Sequence, residues 1–398
     1  GRKYLDLNAG FGVAAAGHAN SQVVDAAKRQ MDRLLHGMGD VHPHAPRALL
    51  ARELSRLTFE RWSRNLPDDS RDRAKGRTIF GNSGSEAVEI ALKTAALATD
   101  KPGVVAFHGG YHGLGYGALN VTHRDHFRGR FTSQLGKFAH FAPFPQDSQT
   151  LLVSEQGIRR HFHQRPIGAV LAEPIQGRGG IRTPPPEFLR MLRRVCDQYG
   201  ALLILDEIHT GFGRTGKWFA CEHSGVMPDM VCLGKALTGG FPLSACVGRD
   251  DIMDKAWPES DGEAIHTSAF LGHPVGCAMA LAQIKEIKRC RLPQKAALHG
   301  RRLLRLLSVP PLPIAGYHFQ ARGKGLFAGL EITGGDGAPA SEECAEIVRR
   351  MLAEGYILLT EGEFANVISF TPPLIITEKQ IRQTVDALHH AIIDILTA

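Results

Sequence analysis

The sequence predicts an α/β fold, a mostly parallel sheet flanked by helices, joined to a smaller α+β domain. Two observations carry that prediction. Short apolar runs through the middle of the chain are continuous rather than alternating, as strands buried on both faces require. Amphipathic stretches of helical length separate them, and this alternation gives way to a different pattern after about residue 275.

Taken in order, Gly1-Arg2-Lys3-Tyr4-Leu5-Asp6 opens as a strand-like run without a signal-peptide h-region, as if residues preceded it. Thr78-Ile79-Phe80, Val104 to Phe107, Ala169 to Ala172, Leu202 to Leu205 and Met230 to Leu233 are the apolar strand candidates. In the stretch from Glu187 to Tyr199, Phe188, Leu189, Leu192, Val195, Cys196 and Tyr199 recur at helical spacing. Pro184-Pro185-Pro186 precedes it and Gly200 follows as its stop. Beyond residue 275, Ala278 to Lys288 and a basic stretch near 301 read as helices, followed by the proline-rich connection Pro310-Pro311-Leu312-Pro313. Leu326 to Ile332, Tyr356 to Leu359 and Val367 to Phe370 read as strands around a helix from Glu342 to Glu354. Thr377 with Gln380 three residues on is a capping box that opens a last helix. The expected organisation is a small-domain segment over 1–40, a large domain over 41–275 and a C-terminal small domain over 276–398.

Composition narrows the function. The 398 residues are 43% hydrophobic and 22% charged, ordinary values for a soluble globular chain. No run of 18 apolar residues suggests a membrane span. The net charge of +7 is spread out, and its densest cluster, Arg301-Arg302 with Arg305, sits at helical spacing as a solvated face, so no nucleic-acid surface is expected. The 7 cysteines are dispersed without a CxxC pair, which argues against a disulfide framework or a zinc site and for a reducing cytoplasm. Cys196, Cys232 and Cys246 lie in apolar runs as small core residues.

Four local patterns carry chemistry. Asp206 follows an apolar strand, at the end where open α/β sheets bind ligands. Gly81-Asn82-Ser83-Gly84-Ser85-Glu86 lies between a strand and an alanine-rich helix, where small residues let an anion reach the helix N-terminus. Tyr111, in Gly109-Gly110-Tyr111-His112-Gly113, can stack on a planar ring. Lys235 stands between a strand and Gly239-Gly240, where burial would favour its free amine. Alone, each also fits a plain role: a turn-capping acid, a serine cap, a packed loop aromatic, a surface lysine. Together they suit pyridoxal-phosphate chemistry, in which a carboxylate holds a pyridinium nitrogen protonated and a desolvated lysine forms a Schiff base.

Asn82 to Glu89, Gly110 to Gly113, Glu173-Pro174-Ile175-Gln176-Gly177, Asp206 to Gly216, Gly234-Lys235 and His266 to Pro274 together resemble the class III pyridoxal-phosphate aminotransferases. The resemblance implies fold type I with a seven-stranded, largely parallel sheet, a homodimer with active sites at the interface, and amine or amino-acid and oxo-acid substrates. It implies Lys235 as the Schiff-base lysine, Asp206 at the pyridine nitrogen, Gly84 and Ser85 at the phosphate, and Tyr111 and Ile208 on the two ring faces. It gives His209 the position of a glutamine that donates to the cofactor's phenolic oxygen. It also gives Ala269 the position of a threonine that reaches the partner's phosphate, with Thr267 and Ser268 as substitutes. Arg178 and Ser369 replace a glutamate and an arginine that handle the carboxylate of 2-oxoglutarate or glutamate. Arg178 reads either as a clamp for an acidic group or as a solvent-facing loop residue. The expected activity is transamination by ping-pong half-reactions, on the ω-amine or unusual amino-acid side of the family. The alternatives are an amino-acid racemase or aminomutase, and a catalytically silent cofactor-binding scaffold.

Overall fold

A computed structural model describes residues 1–39, 41–65, 75–259, 262–309 and 314–397. Asp40 and the proline-rich connection at 310–313 lie outside the described residues. Leu5–Asp6 forms β1. Seven further strands build the main sheet: β2 (Gly76–Gly81), β3 (Gly103–Phe107), β4 (Ala139–Ala142), β5 (Ile167–Ala172), β6 (Leu202–Asp206), β7 (Met230–Leu233) and β8 (Ser244–Arg249). Their order is β2-β8-β7-β6-β5-β3-β4. Only β8 breaks the parallel direction, pairing antiparallel with both β2 and β7.

Alternation within each central strand explains why the runs are apolar throughout. Val105, Phe107, Val170, Leu203, Leu205 and Val231 feed one core cluster. Their neighbours Val104, Ala106, Ala169, Leu171, Ile204 and Met230 feed a second cluster on the opposite face. The helix Gly84–Thr99 supplies Ala87, Val88, Ile90 and Ala91 to the second cluster. The helix Phe188–Tyr199 supplies Phe188, Leu192 and Val195 to the first. That helix ends on Gly200 in the left-handed conformation (φ 60°), as its position in the sequence predicts. Each fully buried Leu or Val side chain contributes about 1.5–3 kcal/mol.

Beyond the main sheet, β9 (Tyr317–Lys324), β10 (Phe327–Gly334), β11 (Tyr356–Ile357), β12 (Leu359–Glu361) and β13 (Val367–Phe370) complete the strands. The sheet β12-β13-β10-β9 is antiparallel. The single strand expected at Tyr356 to Leu359 is two strands, since β11 pairs with β1 and β12 with β13. The opening run is a strand only at Leu5–Asp6. The last helix, Glu378–Leu396, has the Thr377–Gln380 capping box in place. Arg302 on the basic helix Leu292–Leu307 is ion-paired with Glu378. All seven cysteines are free, and Cys196, Cys232 and Cys246 are buried.

The N-terminal segment is held by the C-terminal strands. The Thr371 amide donates to the Leu7 carbonyl (2.8 Å) and the Leu374 amide to that of Ala15 (2.8 Å). Between these anchors Ala9, Gly10, Phe11 and Gly12 form a left-handed turn (φ 52°, 58°, 61° and 83°). The Asp6 carboxylate accepts from the amides of Asn8, Ala9 and Gly10, and the Asn8 side chain accepts from that of Phe11. Left-handed L residues cost about 1–2 kcal/mol each, so these bonds hold a strained turn in place.

Candidate active site

The carboxyl ends of β6 and β7 lie side by side, with Asp206 in register with Cys232. Asp206 closes β6, and Lys235 follows β7 after a single glycine. A cavity of about 350 Å³ opens there, lined by Ser83, Gly84, Ser85, Tyr111, His112, Gly113, Leu114, Glu173, Arg178, Asp206, Ile208, His209 and Lys235. That volume suits a small organic cofactor. Eight of the expected site residues therefore meet in one cavity: Gly84, Ser85, Tyr111, Arg178, Asp206, Ile208, His209 and Lys235.

Lys235 sits at a left-handed backbone position (φ 41°), a strained placement for a side chain. Burial pulls its ammonium down to about 8, against the opposing pull of Asp206, Glu173 and Glu361. The free amine is thus about a tenth of the population at pH 7 and about half at pH 8, in a pocket that also holds an acid.

Asp206 is clasped from two sides. His112 Nδ1 lies 2.8 Å from its Oδ2, and the Ile208 amide donates to its Oδ1 at 3.1 Å. Burial alone would depress the His112 imidazolium, but the hydrogen bond and charge of Asp206 raise it above its ordinary range. Glu173, which accepts from the amides of Tyr111 (3.0 Å) and Gly177 (3.0 Å), is pushed by burial up to about 7. Neither His112 nor Glu173 was singled out in the sequence. The signal for His112 was its place beside Tyr111 on the glycine-bounded loop.

At the other end of the cavity the helix Gly84–Thr99 begins. Ser83 caps it by accepting from the Glu86 amide, while the first-turn amides of Gly84 and Ser85, both lining the cavity, have no acceptor within the helix. Two glycines keep this end open. A Cβ on Gly84 would stand 3.0 Å from Ile208, and one on Gly113 (φ 117°) only 2.6 Å from the Ser85 Cβ.

His209 is wedged between backbone segments. A Cβ on Gly12 would meet its Nε2 at 3.0 Å, and one on Gly177 its Nδ1 at 2.8 Å. Its Nε2 is buried without a hydrogen-bond partner, and its ring lies 4.6 Å from that of Phe327. Burial first, then the positive charges of Lys235, Arg214 and Arg178, hold it neutral.

Arg178 lines the cavity with its side chain 40% exposed, so it stands at the boundary between cavity and solvent. Its guanidinium carbon lies 5.5 Å from the Tyr111 ring centre and 5.7 Å from that of Phe11. Ser369 does not reach the cavity. It is buried in β13, where its hydroxyl donates to the Leu359 carbonyl (3.1 Å). The ladder pairs Leu359 with Ser369 and Glu361 with Val367, so Glu361 projects from the same sheet face as Ser369. A carboxylate from that face, 3.9 Å from Arg178, thus stands close to where an arginine is expected in the family pattern.

Thr267 and Ser268 lie apart from this cavity. With Ala269, His36, Met38, Gly39, Val41 and Leu271 they line a second cavity of about 320 Å³. Among the described residues, no cluster of three or more His, Cys, Asp or Glu could hold a metal ion. No helix among them is long and apolar enough to cross a membrane.

The residues present fit pyridoxal phosphate: an acid for the ring nitrogen, an aromatic and an aliphatic wall, a helix N-terminus for the phosphate, and a buried amine for the aldehyde. Comparisons with known proteins agree. A family model described as "Aminotransferase class-III" matches residues 1–392. The chain is 34% identical over 391 residues to an acetylornithine aminotransferase of Methanosarcina acetivorans, covering 98% of this chain and 88% of that protein. It is 34% identical over 394 residues to the 5-aminovalerate aminotransferase DavT of Pseudomonas aeruginosa, covering 96% and 88%. Among solved structures, an amine transaminase from an uncultivated Pseudomonas species, in its pyridoxal-phosphate-bound form, aligns with a TM-score of 0.87 at 30% identity, covering 98% of this chain and 91% of that one. A transaminase from the marine bacterium Virgibacillus aligns with a TM-score of 0.88 at 27% identity, covering 99% and 89%. The chain belongs to the class III aminotransferases, enzymes of fold type I that transaminate with pyridoxal phosphate.

Proposed function

We propose that this aminotransferase takes an amino group from an amine or amino-acid donor, on the ω-amine side of the family, and delivers it to an oxo acid or aldehyde in alternating half-reactions. The observation that carries this reading is the buried Lys235 amine sharing one cavity with Asp206, Tyr111 and Ile208. Bound pyridoxal phosphate supplies an aldehyde that amines capture and a protonated ring that withdraws electrons from the substrate carbon.

The chain's own residues do the rest. Lys235 Nζ would hold the cofactor at its aldehyde, and as an amine whose proton affinity burial has lowered it can take and return the substrate proton. Asp206 would pair with the ring nitrogen, and His112 holds Asp206 in orientation through the 2.8 Å contact. The amides of Gly84 and Ser85 take the phosphate. Tyr111 and Ile208 fix the plane of the ring, and neutral His209 closes the side toward Gly12.

Thr267 and Ser268 belong to a homodimer interface in this reading, reaching the phosphate of the partner's site. The exposed side chains Leu34, Leu35, Met38, Val41, Ile265 and Phe270 near that loop support it. The separation of the seven-stranded sheet from the two sheets built by β1 and β9 to β13 supports a division into 1–40 with 276–398 around a large domain at 41–275. The seven free cysteines support a cytoplasmic location.

The test is a half-reaction. Amine donors added without an acceptor should bleach the cofactor's visible band in the wild type and leave it unchanged in Lys235→Ala. Racemisation or isomerisation of a donor without any acceptor would refute transamination.

A further inference from the structure

Arg178 and Glu361 form an ion pair that is left incomplete. Their closest atoms, Arg178 Nη1 and Glu361 Oε2, stand 3.9 Å apart, inside ion-pair range but beyond a hydrogen bond. The exposures are unequal: 40% for the arginine side chain and 7% for the glutamate. The guanidinium lines the cavity while the carboxylate does not. The acid therefore lies behind the cation and leaves its N–H fork open toward the cavity.

Other contacts fix this arrangement. The Gly362 amide donates to the Arg178 carbonyl (3.2 Å), tying the turn after β12 to the arginine's loop. The rings of Phe11 and Tyr111 flank the guanidinium. The other charges acting on Glu361 are those of Lys235 and Arg124. Arg124 reaches the same turn, donating to the Glu363 carbonyl at 3.3 Å.

We propose that Glu361 is the resting counter-ion of Arg178 and sets how strongly this site prefers substrates that carry a carboxylate. The proposal rests on the aminotransferase reading and assigns its substrate recognition. A carboxylate entering the cavity meets an unsaturated fork that can bind it bidentately. It also meets the field of Glu361 behind that fork, which weakens the attraction. An uncharged amine or aldehyde leaves the resting pair undisturbed. The same pocket thus accepts both kinds of substrate, with Glu361 limiting the advantage of the charged one.

The test uses the holoenzyme and two unreactive probes of equal length, glutarate and glutaramide, with binding measured by calorimetry. Two like charges roughly 6–8 Å apart at an effective dielectric of about 40 change affinity by roughly six- to tenfold. Glu361→Gln should therefore tighten glutarate by about six- to tenfold and leave glutaramide unchanged. Glu361→Ala carries the same expectation should the glutamine variant fold poorly. Arg178→Ala should weaken glutarate tenfold or more, and the double variant should lose the Glu361→Gln gain. Unchanged or weaker glutarate binding in both Glu361 variants would overturn the proposal, as would a gain that survives without Arg178 or no glutarate binding in any form. Failure of the aminotransferase reading would appear separately, as a cofactor band that no amine bleaches.

Discussion

Replacing His112 with leucine removes the donor to Asp206 while roughly conserving side-chain bulk. The pair is short, 2.8 Å, and its side chains are 1% and 5% exposed, so water cannot take over the lost bond. Removing one partner of such a buried pair costs about 3–5 kcal/mol, because the other charge is left uncompensated. His112→Asn, which restores a neutral donor, should recover part of that loss. Urea unfolding of the apoenzyme, followed by tryptophan fluorescence at several pH values, measures it. The sign follows from the raised pKa of His112: its contribution is fully present below about 6.5, the unfolded value, and declines as pH rises through the folded value. The gap between wild type and His112→Leu should therefore be widest near pH 6 and narrow as pH rises from 6.5 through the raised folded value. A gap under about 1 kcal/mol at pH 6, against the roughly 3–5 expected of a buried pair, or one that widens with pH, would refute the stabilising contact between His112 and Asp206.

Two further outcomes are expected. Capture of pyridoxal phosphate by the apoenzyme should accelerate as pH rises through about 8, where Lys235 gives up its proton, and stopped-flow absorbance at the cofactor band would detect a flat profile. Gly113→Ala places a Cβ 2.6 Å from that of Ser85 at a left-handed position, so cofactor affinity should fall by about 1–3 kcal/mol, which equilibrium titration against the wild type measures.

Much of this was legible in the sequence for a physical reason. Central parallel strands are apolar on both faces, and those at Ala169, Leu202 and Met230 stand out as unbroken runs. The strands that escaped notice lack that signature. β4 carries His140 and is only half-buried at the sheet edge, β8 mixes Ser244 and Gly248 with its apolar residues, and β9 alternates half-buried with exposed positions along the other sheet's edge. The cofactor pocket was legible because its residues follow directly from strand ends. Glu361 was not, since its place beside Arg178 depends on the register of β12 against β13 and on a turn that packs across the site. His112 resembled any loop histidine until Asp206 was placed beside it.

The left-handed turn at Ala9 to Gly12 bears on how the molecule matures. Residues synthesised ahead of the main sheet pack against His209 and Arg178, yet their anchors, Gly355, Ile357, Thr371 and Leu374, are synthesised after it. A turn that strained does not persist on its own, so the large sheet can form during synthesis while His209 and Arg178 still lack these neighbours. Their support then comes late, when the N-terminal segment meets the C-terminal strands. Nascent chains cut short before β13 should hold their parallel sheet and fail to retain pyridoxal phosphate.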